Sequence, residues 1–267
     1  MPRSERLYNA TLGTLAWAGV AFLVFPVLFT FIVSFNGGIF IEFPPPSLSW
    51  RWYENIAKIH RILPALGVSF GVALAAGSIA TLTGIAVALA LVRLPLPFKA
   101  AITAFLLSPV TIPIVAIGIA LIQFFILIGI EFTWVSLVIG HLVLVLAYPV
   151  RTLVASLTLS NPALEEAASS LGATPWRAFL TVTLPQMKPG LISGFLFAFL
   201  ISFDNYPISI FLVRGDLTTL PVELFNYLSQ NLDPTPAAFS TLYMAVVALL
   251  IVAAERRYRI ISLSLSH

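Results

Sequence analysis

The chain has no cysteine, few histidines and few charges, and each shortage narrows what it can be. Without cysteine there is neither a disulfide framework nor a thiolate metal site. The three histidines (His60, His141 and His267) are too scattered to form a ligand cluster. Charged residues occupy 9% of the 267 positions, against about one quarter in soluble domains. Hydrophobic residues occupy 59%, and mean hydropathy is +1.00. A core of this size cannot hide that much apolar surface from water, so the surrounding solvent is lipid. Low-complexity runs are also missing. The net charge of +3 is no nucleic-acid signal, because the basic residues flank apolar stretches.

What is present is a series of long apolar segments. A membrane helix needs roughly 20 apolar residues. Six segments qualify, near residues 12–35, 65–92, 100–129, 133–156, 190–213 and 237–254. Only helices satisfy their own backbone groups across such lengths in lipid. The alternation a membrane β-barrel needs is not there. The expected fold is therefore an all-α membrane protein, with six transmembrane helices forming a single domain over residues 1–267. The first segment follows Arg3 and Arg6 and outruns the apolar region of a signal peptide, about 7–15 residues. Its end, VSFNGGIF, lacks an A-x-A site, so it reads as a retained first helix.

Basic residues set the orientation. With the N-terminus inside, the inner side holds Arg3, Arg6, Arg93, Lys99, Arg151, Arg177, Lys188, Arg256, Arg257 and Arg259. The outer side holds Arg51, Lys58, Arg61 and Arg214. Ten against four favours cytoplasmic N- and C-termini, and an even number of spans agrees. On the outer side, Ser47 to Leu63 reads as an amphipathic interfacial helix with Trp50, Tyr53, Ile56 and Ile59 or His60 on one face. Its aromatic residues act either as membrane anchors or as part of a surface met by a delivery protein.

One polar island interrupts the hydrocarbon, a loop over residues 160–188 between the fourth and fifth segments. Asn161-Pro162 is a helix start, with Asn as cap and Pro at the first helical position. Glu165 and Glu166 follow where negative charge suits the helix dipole. Gly172 closes that helix, and Thr174-Pro175 starts a second. Trp176, Phe179, Leu180 and Val182 give the second helix an apolar side, and Pro185 is expected to stop it. The result is a helix-turn-helix knob. Ala167, Ala168 and Ala173 allow close approach by another protein, and the two glutamates can meet its cations or amides. A rigid link to the fifth span would turn a push on the knob into helix motion. The plainer alternative is a loop that folds without a partner.

Inside the spans, Asp204 is the only carboxylate, and intramembrane charge usually faces a pathway or a partner. With Asn205 and Tyr206 it marks a candidate translocation pathway. The alternative is a structural bond among these residues or to a neighbouring helix. Pro109, Pro113, Pro149 and Pro207 are expected to kink or end helices. No nucleophile triad, metal spacing or carboxylate pair suggests an enzyme.

Glu166-Ala167-Ala168, then Gly172 after three residues, Val182 after nine more, and Leu184-Pro185 make seven matches over twenty positions. This pattern resembles the coupling-loop signature of the integral membrane subunits of bacterial ABC importers. LLSPVTIPIVAIGIAL (Leu106 to Leu121) is similar to that family's third span, and HLVLVLAYPVRTLVASL (His141 to Leu157) to its fourth. FLFAFLISFDNYPISIFL and TTLPVELFNYL (Phe195 to Leu212, Thr218 to Leu228) are similar to its spermidine/putrescine-type permeases.

The resemblance implies a multi-pass protein of the bacterial inner membrane, one half of a homo- or heterodimeric pathway for a small solute. It implies cytoplasmic ATP-binding subunits, a second permease subunit and an extracytoplasmic solute-binding protein. The ATPase contact would be made by Glu165, Glu166, Ala167, Ala168, Gly172, Ala173, Leu184 and Pro185. The chain contains no G-x-x-x-x-G-K-[ST], so ATP and Mg belong to the partner ATPase and no cofactor to this chain. One departure concerns the solute. An acidic residue is expected after Asp204 in the polyamine-type relatives, and Asn205 stands there, which weighs against a strongly cationic substrate. The rival is an ion-coupled secondary transporter, which needs coupling-ion residues and usually repeats.

Overall fold

The computed structural model describes residues 3–130 and 133–258; Arg259 and His267 lie outside them. The helices, in order, are α1 (Arg3–Ser34), α2 (Arg51–Lys58), α3 (Ile62–Arg93), α4 (Lys99–Thr111), α5 (Ile114–Leu127), α6 (Trp134–Val145) and α7 (Ala147–Thr158). They continue as α8 (Pro162–Ser170), α9 (Pro175–Ala178), α10 (Leu184–Gln186), α11 (Lys188–Phe203), α12 (Tyr206–Leu212), α13 (Leu220–Gln230) and α14 (Thr235–Tyr258). A π-helical turn, Phe179–Thr183, joins α9 to α10. Among the described residues there is no β-sheet, only two isolated bridges, Asn36 with Leu48 and Arg214 with Leu217.

By length and composition, α1 and α3 can each cross a membrane alone. Three further candidates are bent pairs: α4 with α5 at 103°, α6 with α7 at 43°, and the α9–α10 stretch with α11 at 68°. The third and fourth expected spans are thus not straight rods. Prolines supply the reason. Pro113 has no N–H to give α4, and it holds Ile112 extended (φ −81°, ψ 140°). The ring of Pro149 would meet the carbonyl of Val145, the last residue of α6. Met187 lies between Pro185 and Pro189, and the chain bends there. Proline does not always break a helix: Pro26 and Pro109 lie inside α1 and α4. Membrane helices tolerate such residues where neighbours or side chains re-satisfy the backbone.

The chain divides into two compact units. The first takes in residues up to Ile62 together with Leu224–Ala254. Here the end of α1 packs aromatic against aromatic: Phe35 meets Trp50 edge-on at 4.8 Å and Tyr53 at 5.2 Å. The Ser34 and Tyr53 hydroxyls are 2.7 Å apart. The helix expected over Ser47 to Leu63 is shorter, α2, and its buried aromatic is Trp52, whose indole N–H donates to the Asn36 carbonyl at 2.5 Å. Trp50 instead stays 65% exposed. That indole bond selects the inward face, since a buried Trp needs an acceptor.

The second unit is built on Leu63–Glu223. Its core joins Val72, Ala76 and Ala80 of α3 to Phe125, Leu137 and Leu144, and to Ala198, Ile208 and Leu212. Small residues let the helices touch. A Cβ added at Gly190 would lie 2.6 Å from the Ser156 Cβ and 2.9 Å from the Thr152 carbonyl oxygen. At Gly194 it would lie 2.9 Å from the Pro149 Cα. These glycines seat α11 on α7, and the Thr152 hydroxyl fastens the contact by donating to the Gly190 carbonyl at 3.0 Å. Gly71 of α3 likewise faces the Trp134 ring, where an added Cβ would lie 2.9 Å from two ring carbons.

Candidate coupling site

The polar island contains two short α-helical stretches, α8 and α9. The Asn161 side chain accepts from the Ala163 N–H at 3.0 Å, and Pro162 opens α8. Gly172, at φ +86°, closes it. The Ala173 N–H reaches the Ala168 carbonyl and the Gly172 N–H the Ser169 carbonyl, each at 3.0 Å. This is the Schellman arrangement that a left-handed glycine permits. The Thr174 hydroxyl then accepts from the Arg177 N–H at 3.4 Å, and Pro175 starts α9. Pro185 does not end this second helical stretch as expected. The preceding turn widens to the π form, with the Leu184 N–H on the Phe179 carbonyl, and the chain stays helical through Gln186. A π turn makes room for a proline that lacks an N–H and crowds the carbonyl behind it.

The two glutamates have different surroundings. Glu166 is exposed, as is Ala167. Glu165 points back to the unit. Its carboxylate receives the Arg93 guanidinium in a two-pronged contact, with Nη1 donating to Oε1 at 2.8 Å and Nη2 donating to Oε2. The Thr183 hydroxyl donates to the same Oε2 at 2.6 Å. The Arg93 hydrogen bond, above all, holds the Glu165 carboxyl below its usual range; burial opposes this and the Thr183 bond reinforces it. Arg93 is the last residue of α3, a helix of 32 residues and so about 48 Å long, enough to carry the guanidinium past the hydrocarbon. No local pattern signals this clamp. Arg93 counted only as one inner charge, and 72 positions separate it from Glu165.

Around the clamp lies a groove of about 530 Å³ lined by Leu89, Arg93, Leu94, Glu165, Trp176 and Phe179, among others. Trp176 stacks on Phe179 at 5.5 Å yet stays 68% exposed, and Leu171 at the turn is 89% exposed. Ala168, Ala173 and Leu184 are half-buried, and Pro185 is exposed.

The residues around Asp204 lie about a second break. α11 ends at Phe203 and α12 begins at Tyr206. Asn205 is buried, and its side-chain oxygen caps α12 by accepting from the Ile208 N–H at 2.9 Å. Asp204 is exposed and Tyr206 half-buried. His141 of α6 bridges the break, with Nδ1 2.7 Å from the Ser202 hydroxyl and Nε2 3.1 Å from the Ser209 hydroxyl. Ser209 spends its own hydrogen on the Asn205 carbonyl, so it accepts from Nε2–H. The His141 ring thus ties both helical pieces together.

Residues 80–262 match the family described as binding-protein-dependent transport system inner membrane component. The chain belongs to that family. This permease is 30% identical over 238 residues to the putrescine transport system permease protein PotI of Escherichia coli (strain K12), covering 86% of this chain and 84% of the relative. It is 27% identical over 235 residues to the spermidine/putrescine transport system permease protein PotC of Haemophilus influenzae, covering 88% and 91%. Among solved structures, a bacterial ABC transporter involved in the import of the acidic polysaccharide alginate superposes with a TM-score of 0.66 at 14% identity. That match covers 97% of the permease and 98% of the solved chain, and it supports the fold. The chain is a multi-pass membrane permease component of an ABC importer, as the coupling-loop pattern implied.

Proposed function

We propose that this permease forms half of a translocation pathway, paired with a second permease subunit or a copy of itself, and takes its energy from cytoplasmic ATPase subunits. Six spans, with both termini in the cytoplasm, agree with the ten-to-four distribution of basic residues. ATP and Mg sit on the ATPase, and a solute-binding protein delivers solute from the other side. The observation that carries the reading is the exposed α8–Gly172–α9 knob, which bears the family pattern and leads through a bend into α11. Glu166, Ala167, Ala168, Gly172, Ala173, Leu184 and Pro185 form or shape the docking surface, and exposed Leu171 and Trp176 support a partner there. Glu165 holds the knob to α3.

For the solute, the similarity to PotI and PotC favours a polyamine or related organic cation. Exposed Asp204, in the break between α11 and α12, supports a cation passing that point. Since Asn205 caps α12, the pathway role falls to Asp204 and Tyr206. The test is ATP-driven uptake into vesicles holding the whole complex. Glu166→Lys and Gly172→Asp each abolish uptake while the chain stays in the membrane. Survival of uptake in both variants would refute the coupling role.

A further inference from the structure

A second cavity, of about 340 Å³, opens among α3, α4 and α7, apart from the knob. Two cations reach it from different helices, Lys99 at the start of α4 and Arg151 on α7. Among the described residues neither has an acidic partner. Its remaining walls are mostly apolar, among them Leu91, Leu107, Val150 and Val154. Its two threonines, Thr103 and Thr158, donate their hydroxyls to the helix backbone, so the cations are the side-chain donors left for a ligand.

The neighbouring surface says what kind of anion fits. No residue of α4 is buried. Phe98, just before it, is 84% exposed, and Phe105 on it is 77% exposed. In water such a strip would be a liability; beside acyl chains it is ordinary. We propose that this cavity binds one anionic phospholipid, with its phosphate on Lys99 and Arg151 and its chains along the bare face of α4. Basic pockets between membrane helices are suited to such head groups. A free phosphate would share the cations but gain nothing from the apolar walls.

The test uses the full chain in phosphatidylcholine nanodiscs doped with phosphatidylglycerol, then extracted, with retained lipid counted by native mass spectrometry. The wild type keeps one phosphatidylglycerol in preference to phosphatidylcholine. Lys99→Gln with Arg151→Gln weakens retention about 30-fold, and either change alone about fivefold, the factors basic residues are worth at an anionic surface. Arg151→Lys keeps most of the binding. Lys58→Gln with Arg177→Gln, which removes the same charge elsewhere, changes nothing. Equal retention by the two double variants overturns the proposal. So does displacement of the lipid by inorganic phosphate at equal concentration, which would make a free anion the ligand. Should the double variant misfold, the two single variants decide.

Discussion

Removing Arg93 should loosen the knob without unfolding the permease. An exposed ion pair is worth ~0.2–1 kcal/mol, and a hydrogen bond to a charged group ~1.5–3 kcal/mol. Glu165 accepts from both prongs of Arg93 and from Thr183, but the Arg93 side chain keeps 37% of its surface in solvent, so screening takes much of this back. We take about 1–2 kcal/mol for the clamp, a factor of about 5–30 in the population of the released knob. Hydrogen exchange of the α8 amides, read by mass spectrometry in nanodiscs, should speed up by that factor in Arg93→Gln. Glu165→Gln should do the same, and the double variant should add little to either. Because the folded carboxyl titrates below its unfolded value, the clamp is complete above the ordinary carboxylate pKa of about 4.3 and is lost only as pH falls through the lower folded value. The factor should therefore hold from pH 6 to pH 8. Unchanged exchange in the single variants, or effects that simply add in the double to within ~0.3 kcal/mol, would refute the reasoning.

Other consequences are as concrete. Gly172→Ala should lower the stability of the knob by about 1–2 kcal/mol through its left-handed backbone, while Gly172→Asn costs less; nothing lies within 4 Å to add a clash. Exchange of the α8 C-terminal amides reads the difference. Gly194→Leu should lower the melting temperature, as overpacking of about 1–3 kcal/mol where α11 meets α7 requires, and an unchanged melting curve would mean that the contact is loose. His141→Leu leaves the Ser202 and Ser209 hydroxyls without their ring partner and should cost about 0.6–1.7 kcal/mol, seen as a lower melting temperature that His141→Asn partly restores.

Much of the knob was legible because its signals are local. Asn161, Gly172 and Thr174 each act on a neighbour within five positions, so capping rules place them without a fold. The long apolar segments were legible by composition, but their shapes were not. Hydropathy averages over a window and passes across Ile112–Pro113, where the chain turns by 103°. Proline marks a possible bend yet does not choose one, as Pro109 inside α4 shows. Around Asp204 the sequence marks a polar break in an apolar segment, but only packing reveals that Asn205 is a cap and that His141 reaches across to two serines. The Arg93–Glu165 contact joins positions that no periodicity connects.

That contact also bears on any attempt to rebuild the importer from parts. A coupling loop looks portable, a contiguous stretch that could be exchanged to match a foreign ATPase. Here the loop carries one half of its fastening and leaves the other behind on α3. A graft of residues 160–188 moves Glu165 and Thr183 together but needs an arginine at the position of Arg93 to receive them. A recipient without one would lack this fastening between the transplanted knob and α3. If the loop has the coupling role proposed above, such a chimera would dock its new ATPase yet transmit little of the stroke.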